Sequence, residues 1–95
     1  MYNYTKETIM PKYLSITRAE YVGSLSVRLL FNDKHETVVN VGEWIKKHPH
    51  PQYNRFCEER KFKQFYLDDM GNIAWGKNRD LYFPMEQLYC GRIAD

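Results

Sequence analysis

Three histidines and two cysteines are the residues of this chain whose types could bind a metal ion. His48 and His50 lie two positions apart, six residues separate His50 from Cys57, and His35 is a further nitrogen donor. Structural zinc sites take four nitrogen or sulfur ligands, usually from two closely spaced pairs. One histidine pair followed by a single cysteine is a poor match, and two prolines stiffen the loop between the donors. The spacing therefore predicts an exposed loop and no metal site.

Cys57 is also the strongest candidate for a nucleophile, because two histidines lie near it in the sequence. A nucleophile needs a positioned base and donors for the oxyanion. The spacing of Cys57 with Tyr53 and Phe56 is that of one helix face, which predicts an inward thiol of little reactivity. Adjacent acids at Asp68 and Asp69 are typical of a turn, and no phosphate loop, dinucleotide fingerprint or zinc-peptidase motif occurs. We therefore predict a protein that is not an enzyme and takes no cofactor.

Composition and charge set the class of protein. A chain of 95 residues fits one domain with one small core. Its net charge of +2 is too small to indicate a nucleic-acid or membrane partner by itself. Basic residues outnumber acidic ones over 42–65, and the reverse holds from residue 66 onward. No stretch has the apolar core of a signal peptide or the roughly 18 apolar residues of a membrane span. We therefore predict a cytoplasmic protein with no membrane contact.

Alternating apolar and polar residues predict three strands in the first half of the chain. The clearest covers 25–31, where alternate positions are apolar: Leu25, Val27, Leu29 and Phe31. Strands are also predicted at 13–21 and 36–41, with turn residues between them. Short polar turns make the three an antiparallel meander. Other elements must cover one face, because a bare small sheet is marginally stable.

The middle of the chain carries the signals of two helices. Asn40 can cap a helix whose third residue, Glu43, can bond back to the cap. Three apolar residues follow at the spacing of one helix face: Val41, Trp44 and Ile45. The prolines near 50 end this helix, and a second helical segment is predicted over 52–60, with a further turn over 61–64.

The second half predicts a hairpin and a last helix. Apolar arms at 65–67 and 73–75 flank a turn in which Gly71 can adopt a positive φ. Residues 80–83 extend the last strand, and a helix is predicted over 84–89 because proline fits a first helical turn.

Together these elements predict an α+β fold, a small two-layer domain in which an antiparallel β-meander and a hairpin pack against short helices. The domain covers 12–91, with a flexible tail at 1–11 and a short tail at 92–95. Five apolar residues of the second half are expected to close the core: Phe62, Phe65, Leu67, Ile73 and Leu88. The segments 69–72 and 76–79 are expected to be exposed turns.

A cluster around the second turn has the composition of a protein-interaction surface. Trp75, Lys77, Arg79 and Tyr82 combine the aromatic and arginine side chains that commonly anchor a partner. The alternative is that Trp75 fills the gap between sheet and helices. A free sheet edge could also accept a strand from another chain, or form a homodimer. We predict a non-catalytic module that binds a small protein.

A weak nucleic-acid-binding accessory is the alternative function. Basic residues neighbour aromatic ones at Arg55-Phe56, at 60–63 and at 75–77. Exposed rings stack on bases while lysine and arginine hold phosphates. Against this, Phe56 and Phe62 have the spacing of core residues, and a buried ring cannot stack on a base.

The order and spacing of these motifs over about 12–90 resembles the bacterial domain-of-unknown-function family 2442. The matching residues are Tyr13, Leu14, Ala19, Tyr21, Phe31-Asn32-Asp33, Phe62, Phe65, Asp68, Gly71, Ile73, Trp75, Asp80-Leu81 and Leu88-Tyr89. The resemblance implies a small two-layer α+β fold and no established activity. It also implies a partner protein encoded nearby, as in antitoxin-like pairs. The chain departs from the family pattern after Trp75, where Gly76 replaces a common proline.

Overall fold

The computed structural model describes residues 14–93 and has an α+β fold, which confirms the predicted class. Two three-stranded antiparallel sheets and four short α-helices form the described part. The predicted tail at 1–11, the first residue of the predicted strand 13–21, and residues 94–95 lie outside it. Among residues 14–93, no helix has the length and apolar character needed to span a membrane.

The first sheet is the predicted meander. Its strands are β1 (Ile16–Gly23), β2 (Ser26–Phe31) and β3 (Glu36–Asn40), in the order β1-β2-β3. From Val27 to Phe31, buried side chains alternate with exposed or half-buried ones, as the sequence predicts, whereas Ser26 at the start of the strand is also buried. Strand β2 begins one residue later than predicted because Leu25 has a positive φ of 55° and belongs to the turn. The register of β1 against β2 is shifted near both ends of β1.

The first helix begins at the predicted Asn40 cap. Helix α1 (Val41–Lys47) begins after Asn40, whose side-chain oxygen accepts a hydrogen bond from the Glu43 backbone N–H at 3.0 Å. Val41 and Ile45 are buried on the face that the spacing indicates, and Trp44 is half-buried beside them.

The single helix predicted over 52–60 is wrong. The segment consists of α2 (Pro51–Asn54), a 3₁₀ turn (Arg55–Cys57) and α3 (Glu59–Phe62). Glu58 has an extended backbone, with ψ of 120°, which separates the turn from α3. Within the 3₁₀ turn, Phe56 is buried and Cys57 is exposed, so the prediction of an inward thiol is wrong.

The second sheet contains the predicted hairpin and one further strand. Its strands are β4 (Tyr66–Leu67), β5 (Ile73–Trp75) and β6 (Leu81–Tyr82), with β5 in the centre. Residues 80–83 therefore do not extend β5; the chain reverses and returns as β6, antiparallel to it. The last helix, α4 (Met85–Tyr89), follows Pro84 as its spacing indicates.

The core lies between the inner face of the first sheet and the elements that follow it. Ring contacts connect the layers: Tyr21 of β1 lies 5.7 Å from Phe62 of α3, and Phe31 of β2 lies 5.0 Å from Tyr89 of α4, measured between ring centroids. Of the five residues expected to close the core, three are buried and two are half-buried against it. The prediction of a core between two layers is confirmed.

The turn at 69–72 contacts the start of β1 and is not simply exposed. The Ile16 backbone N–H donates to the Gly71 carbonyl at 2.9 Å. Gly71 has a φ of 79°, and a Cβ there would lie 2.4 Å from the Ser15 Cβ. A residue without a side chain is therefore required by both the backbone conformation and the close approach.

Candidate interaction surface

The three histidines of the metal hypothesis each contact other protein groups. His48 Nδ1 lies 2.9 Å from the Trp44 carbonyl oxygen, and its ring stacks on Trp44 at 4.2 Å. His50 Nδ1 accepts a hydrogen bond from the Gln52 N–H, which caps α2. His35 stacks against a ring of α4 at 4.1 Å. Within residues 14–93, no group of three or more histidine, cysteine or acidic side chains could hold a metal ion.

Asp68 has a structural role in the hairpin turn. Its Oδ1 accepts hydrogen bonds from the backbone N–H groups of Met70 and Asn72, and its Oδ2 pairs with Arg79. The bond from the Asn72 N–H, with further help from Met70 and the Arg79 guanidinium, holds the pKa of Asp68 below its ordinary value. Its neighbour Asp69 is exposed. The two acids are therefore turn residues, as the sequence indicates.

Trp75 does not lie on the surface, and its predicted role as a partner anchor is wrong for this conformation. Its side chain is 0% exposed, and its Nε1–H donates to the Phe62 carbonyl at 2.8 Å. Its ring packs against Phe62 at 5.2 Å and against Phe83 at 6.1 Å. Trp75 fills the space between the second sheet and the helices, which is the alternative that the sequence left open.

A groove of about 450 Å³ separates the helical segment from the second sheet. We call it the basic groove and define it by the residues that line it: Arg55, Phe56, Lys61, Gln64, Tyr66, Gly76, Lys77 and Asp80. Three of these side chains are cationic and one is anionic. Asp80 pairs with Arg55, so the anion is already neutralised from within the groove. The remaining charge at the groove is positive.

Two exposed tyrosines lie on one face of the second sheet, and one of them, Tyr66, also lines the groove. Tyr66 and Tyr82 both pair with Ala74, from opposite sides of β5, and directly opposed residues of antiparallel strands point to the same face. Tyr66 is 38% exposed and Tyr82 is 60% exposed. The Tyr66 hydroxyl donates to the Gly76 carbonyl at 3.1 Å, which holds its ring at the groove wall.

The structure thus divides the four predicted partner-binding residues. Lys77 lines the basic groove, and Tyr82 is exposed on the neighbouring sheet face. Arg79 is exposed but its guanidinium pairs with Asp68, so it stabilises the hairpin. The groove residues Arg55 and Lys61 belong to the basic and aromatic runs noted in the sequence. Tyr66 was not among the residues predicted from the sequence. Side chains alternate along a strand, so the side chain of Tyr66 is expected to point away from those of Phe65 and Leu67.

No family model, curated protein or solved structure matches this chain. The resemblance to domain-of-unknown-function family 2442 therefore stays a prediction.

Proposed function

We propose that this protein is a non-catalytic interaction module whose basic groove binds an acidic segment of a small protein partner. The observation that carries the proposal is the convergence of three cations and an exposed tyrosine on one groove. Arginine and tyrosine are enriched at protein interfaces, where they combine apolar area with directed hydrogen bonds.

The available positive charge comes mainly from two lysines. Lys77 forms no ion pair within residues 14–93. Lys61 lies 3.6 Å from Glu58, but both side chains are about half exposed, and such a surface pair contributes little. An acidic segment would therefore gain contacts without displacing a strong internal pair. The groove is open to solvent, unlike the enclosed cavities that small-molecule ligands usually occupy.

Selection of peptides from a displayed random library tests this proposal. We expect enriched sequences to combine aspartate or glutamate with an apolar residue. A synthetic peptide of the enriched sequence should bind the double variant Lys61→Glu/Lys77→Glu at least tenfold more weakly, because each substitution opposes a carboxylate. The control is Lys46→Glu/Lys47→Glu on α1, which makes the same change in charge away from the groove and should leave the affinity unchanged. Equal losses in both variants would contradict a specific site.

A single-stranded oligonucleotide tests the alternative function. The same cations could hold phosphates, while only Tyr66 and Tyr82 of the nearby rings are exposed enough to stack on bases. Phe56 and Phe62 are buried, which removes two of the rings that the sequence offered. Tighter binding of the oligonucleotide than of the peptide, with a steep loss on adding salt, would support the nucleic-acid function instead.

A further inference from the structure

The outer face of the first sheet, which is the side turned away from the core, is uncovered within the described part of the chain. A shallow depression on it is lined by strand residues alone: Arg18, Glu20, Arg28, Leu30 and Glu36. Two valines are also exposed there, Val22 at 41% and Val38 at 53%. The face therefore combines charged and apolar side chains at the surface.

One row of this face has a definite order of charge. Arg18 pairs with Leu30 across β1 and β2, and Leu30 pairs with Glu36 across β2 and β3. Directly opposed residues of antiparallel strands point to the same side of the sheet. The row therefore reads positive, apolar, negative from one edge of the sheet to the other.

The neighbouring row has a different order, with Glu20 on β1, Arg28 on β2 and Val38 on β3. Glu20 accepts from Arg18 at 2.7 Å and from Arg28 at 3.3 Å, so one carboxylate is shared by two guanidinium groups. The β1 side of the face keeps an excess of positive charge. Glu36, on the β3 side, is exposed and forms no ion pair with any residue of the described range 14–93. The face is thus positive at one edge, negative at the other and neutral in sum over these four residues.

We propose that this outer face binds the same face of a second copy of the chain. A two-fold axis parallel to β2 places β1 of one copy over β3 of the other and β2 over β2. Leu30 then meets Leu30 of the partner subunit, and Arg18 lies opposite Glu36 of the partner subunit on both sides of that contact. Arg28 approaches Arg28 of the partner subunit two residues along β2, where Glu20 of the same chain pairs with each guanidinium and offsets the repulsion. Stacked sheets lie about 10 Å apart, a gap that an arginine and a glutamate side chain can bridge together. Such a contact is closed and self-complementary, as in most homodimers.

The dimensions of the face indicate a weak dimer. Three strands of this length present a surface of about 20 Å by about 14 Å, on the order of 300 Å² for each copy. Stable interfaces usually bury about 800 Å² on each partner. Association is therefore expected to be reversible and to depend on protein concentration. The proposal concerns a different surface from the basic groove and does not depend on its function.

The sheet edges are less suited to the homodimer predicted from the sequence. The register of β1 shifts near both of its ends, and such bulges discourage strand addition at an edge. At β3, the Thr37 hydroxyl donates to the Leu88 carbonyl, which brings α4 against that strand. Pairing through an edge stays a prediction, while the outer face offers complementary charge.

Charge reversal tests the proposed dimer. Sedimentation equilibrium at low salt, over protein concentrations from about 10 µM to about 1 mM, should show a monomer–dimer equilibrium for the natural sequence. Arg18→Glu and Glu36→Arg should each weaken association by tenfold or more, because each places like charges opposite one another. The double variant Arg18→Glu/Glu36→Arg should restore association to within about threefold, because the pairs are re-formed with their signs exchanged.

A second double variant controls for net charge. Arg60→Glu/Glu36→Arg has the same composition of charge as the restoring variant, since Arg60 is an exposed residue of α3 outside this face, but it leaves Arg18 opposite an arginine of the partner subunit. It should remain as weak as the single variants. A monomer at every concentration, failure of the first double variant to restore association, or equal association of both double variants would each overturn the proposal. Melting curves of these surface variants establish that each remains folded.

Discussion

The two sheets have three strands each but are stabilised by different means. The strands of the first are five to eight residues long, and each turns one face toward the core and the other toward the surface. The strands of the second are only two or three residues long, and all three residues of its central strand β5 are buried. A backbone ladder of this length cannot hold a sheet by itself, since even a two-stranded hairpin of ordinary length is marginal in water.

Side-chain contacts to the backbone supply what the second sheet lacks. Trp75 donates to the Phe62 carbonyl, and Asp68 accepts two backbone N–H groups. The Gln52 side chain donates to the Asp80 carbonyl at 2.8 Å. Stability in the first sheet is therefore distributed over many positions, whereas in the second it is concentrated in a few. Single substitutions should therefore have larger effects in the second sheet.

Trp75→Ala should have the largest effect. It removes the largest fully buried side chain together with a hydrogen bond, and such truncations destabilise by about 3–5 kcal/mol. Urea denaturation followed by circular dichroism measures the free energy of unfolding. Trp75→Phe should cost less, about 1–3 kcal/mol, because it keeps an aromatic ring but leaves the Phe62 carbonyl without its donor. A cost below about 1 kcal/mol for Trp75→Ala would contradict concentrated stability in this sheet.

Gly71→Ala should rank second, with Gly23→Ala as its matched control in the first sheet. Both glycines have a positive φ, 79° and 94°, so both variants carry the same kind of backbone strain of about 1–2 kcal/mol. Only at Gly71 would the new Cβ meet a neighbour, the Ser15 Cβ at 2.4 Å. We expect Gly71→Ala to cost about 1–3 kcal/mol more than Gly23→Ala in the same denaturation experiment. Equal costs would show that the turn moves freely away from β1.

Acid should destabilise the protein through Asp68. The pKa of this carboxyl is lowered in the folded state, mainly by the bond from the Asn72 N–H. Its stabilising contribution is therefore complete above the ordinary carboxyl pKa of about 4 and is lost as the pH falls toward the folded value. The free energy of unfolding, measured from neutral pH to about pH 3, should fall less steeply in Asp68→Asn than in the natural sequence.

Asp33 provides the counterpart in the first sheet. The Tyr89 hydroxyl donates to it at 2.5 Å and lowers its pKa, so Asp33→Asn should also flatten the acid dependence. We expect the smaller change here, because Asp68 pairs in addition with a guanidinium. A larger loss of acid dependence in Asp33→Asn than in Asp68→Asn would show that the more acid-sensitive contact belongs to the first sheet.

The smallest effects on stability should come from the exposed residues of each sheet region. Lys77→Ala beside the second sheet and Val38→Thr on the first should each change the free energy of unfolding by less than about 0.5 kcal/mol, because neither side chain is buried. Thermal melts measure this directly. A large loss of unfolding free energy in Lys77→Ala would mean that the Lys77 side chain makes a contact that stabilises the fold.

Local signals explain why part of the fold could be predicted from the sequence. The alternation of β2 and the cap at Asn40 depend on residues within a few positions of one another, and the structure confirms both. The segment 52–60 also makes contacts with a distant part of the chain. Arg55 pairs with Asp80, and Gln52 donates to the Asp80 carbonyl, just before β6. Periodicity within the segment carries no sign of them.

The candidate site was predictable in composition but not in arrangement. Aromatic and basic residue types at 75–82 indicated a surface, and Lys77 and Tyr82 are exposed. The same pattern could not show that Trp75 is buried while Lys77 and Tyr82 are exposed. Its hydrogen bond to the Phe62 carbonyl joins parts of the chain that lie 13 positions apart. The convergence of Arg55 and Lys61 with Lys77 follows only from the fold, since the helical segment and the second sheet are separate in the sequence.

The contact between the Ile16 N–H and the Gly71 carbonyl has a consequence for how the chain acquires its structure. It joins the beginning of the described chain to the hairpin, and the bond from Tyr89 to Asp33 spans 56 positions in the same manner. As the ribosome releases the first three strands, neither partner has yet been synthesised. We therefore expect the nascent meander to remain loosely organised until the C-terminal third emerges, and the whole domain then to fold in a single cooperative transition.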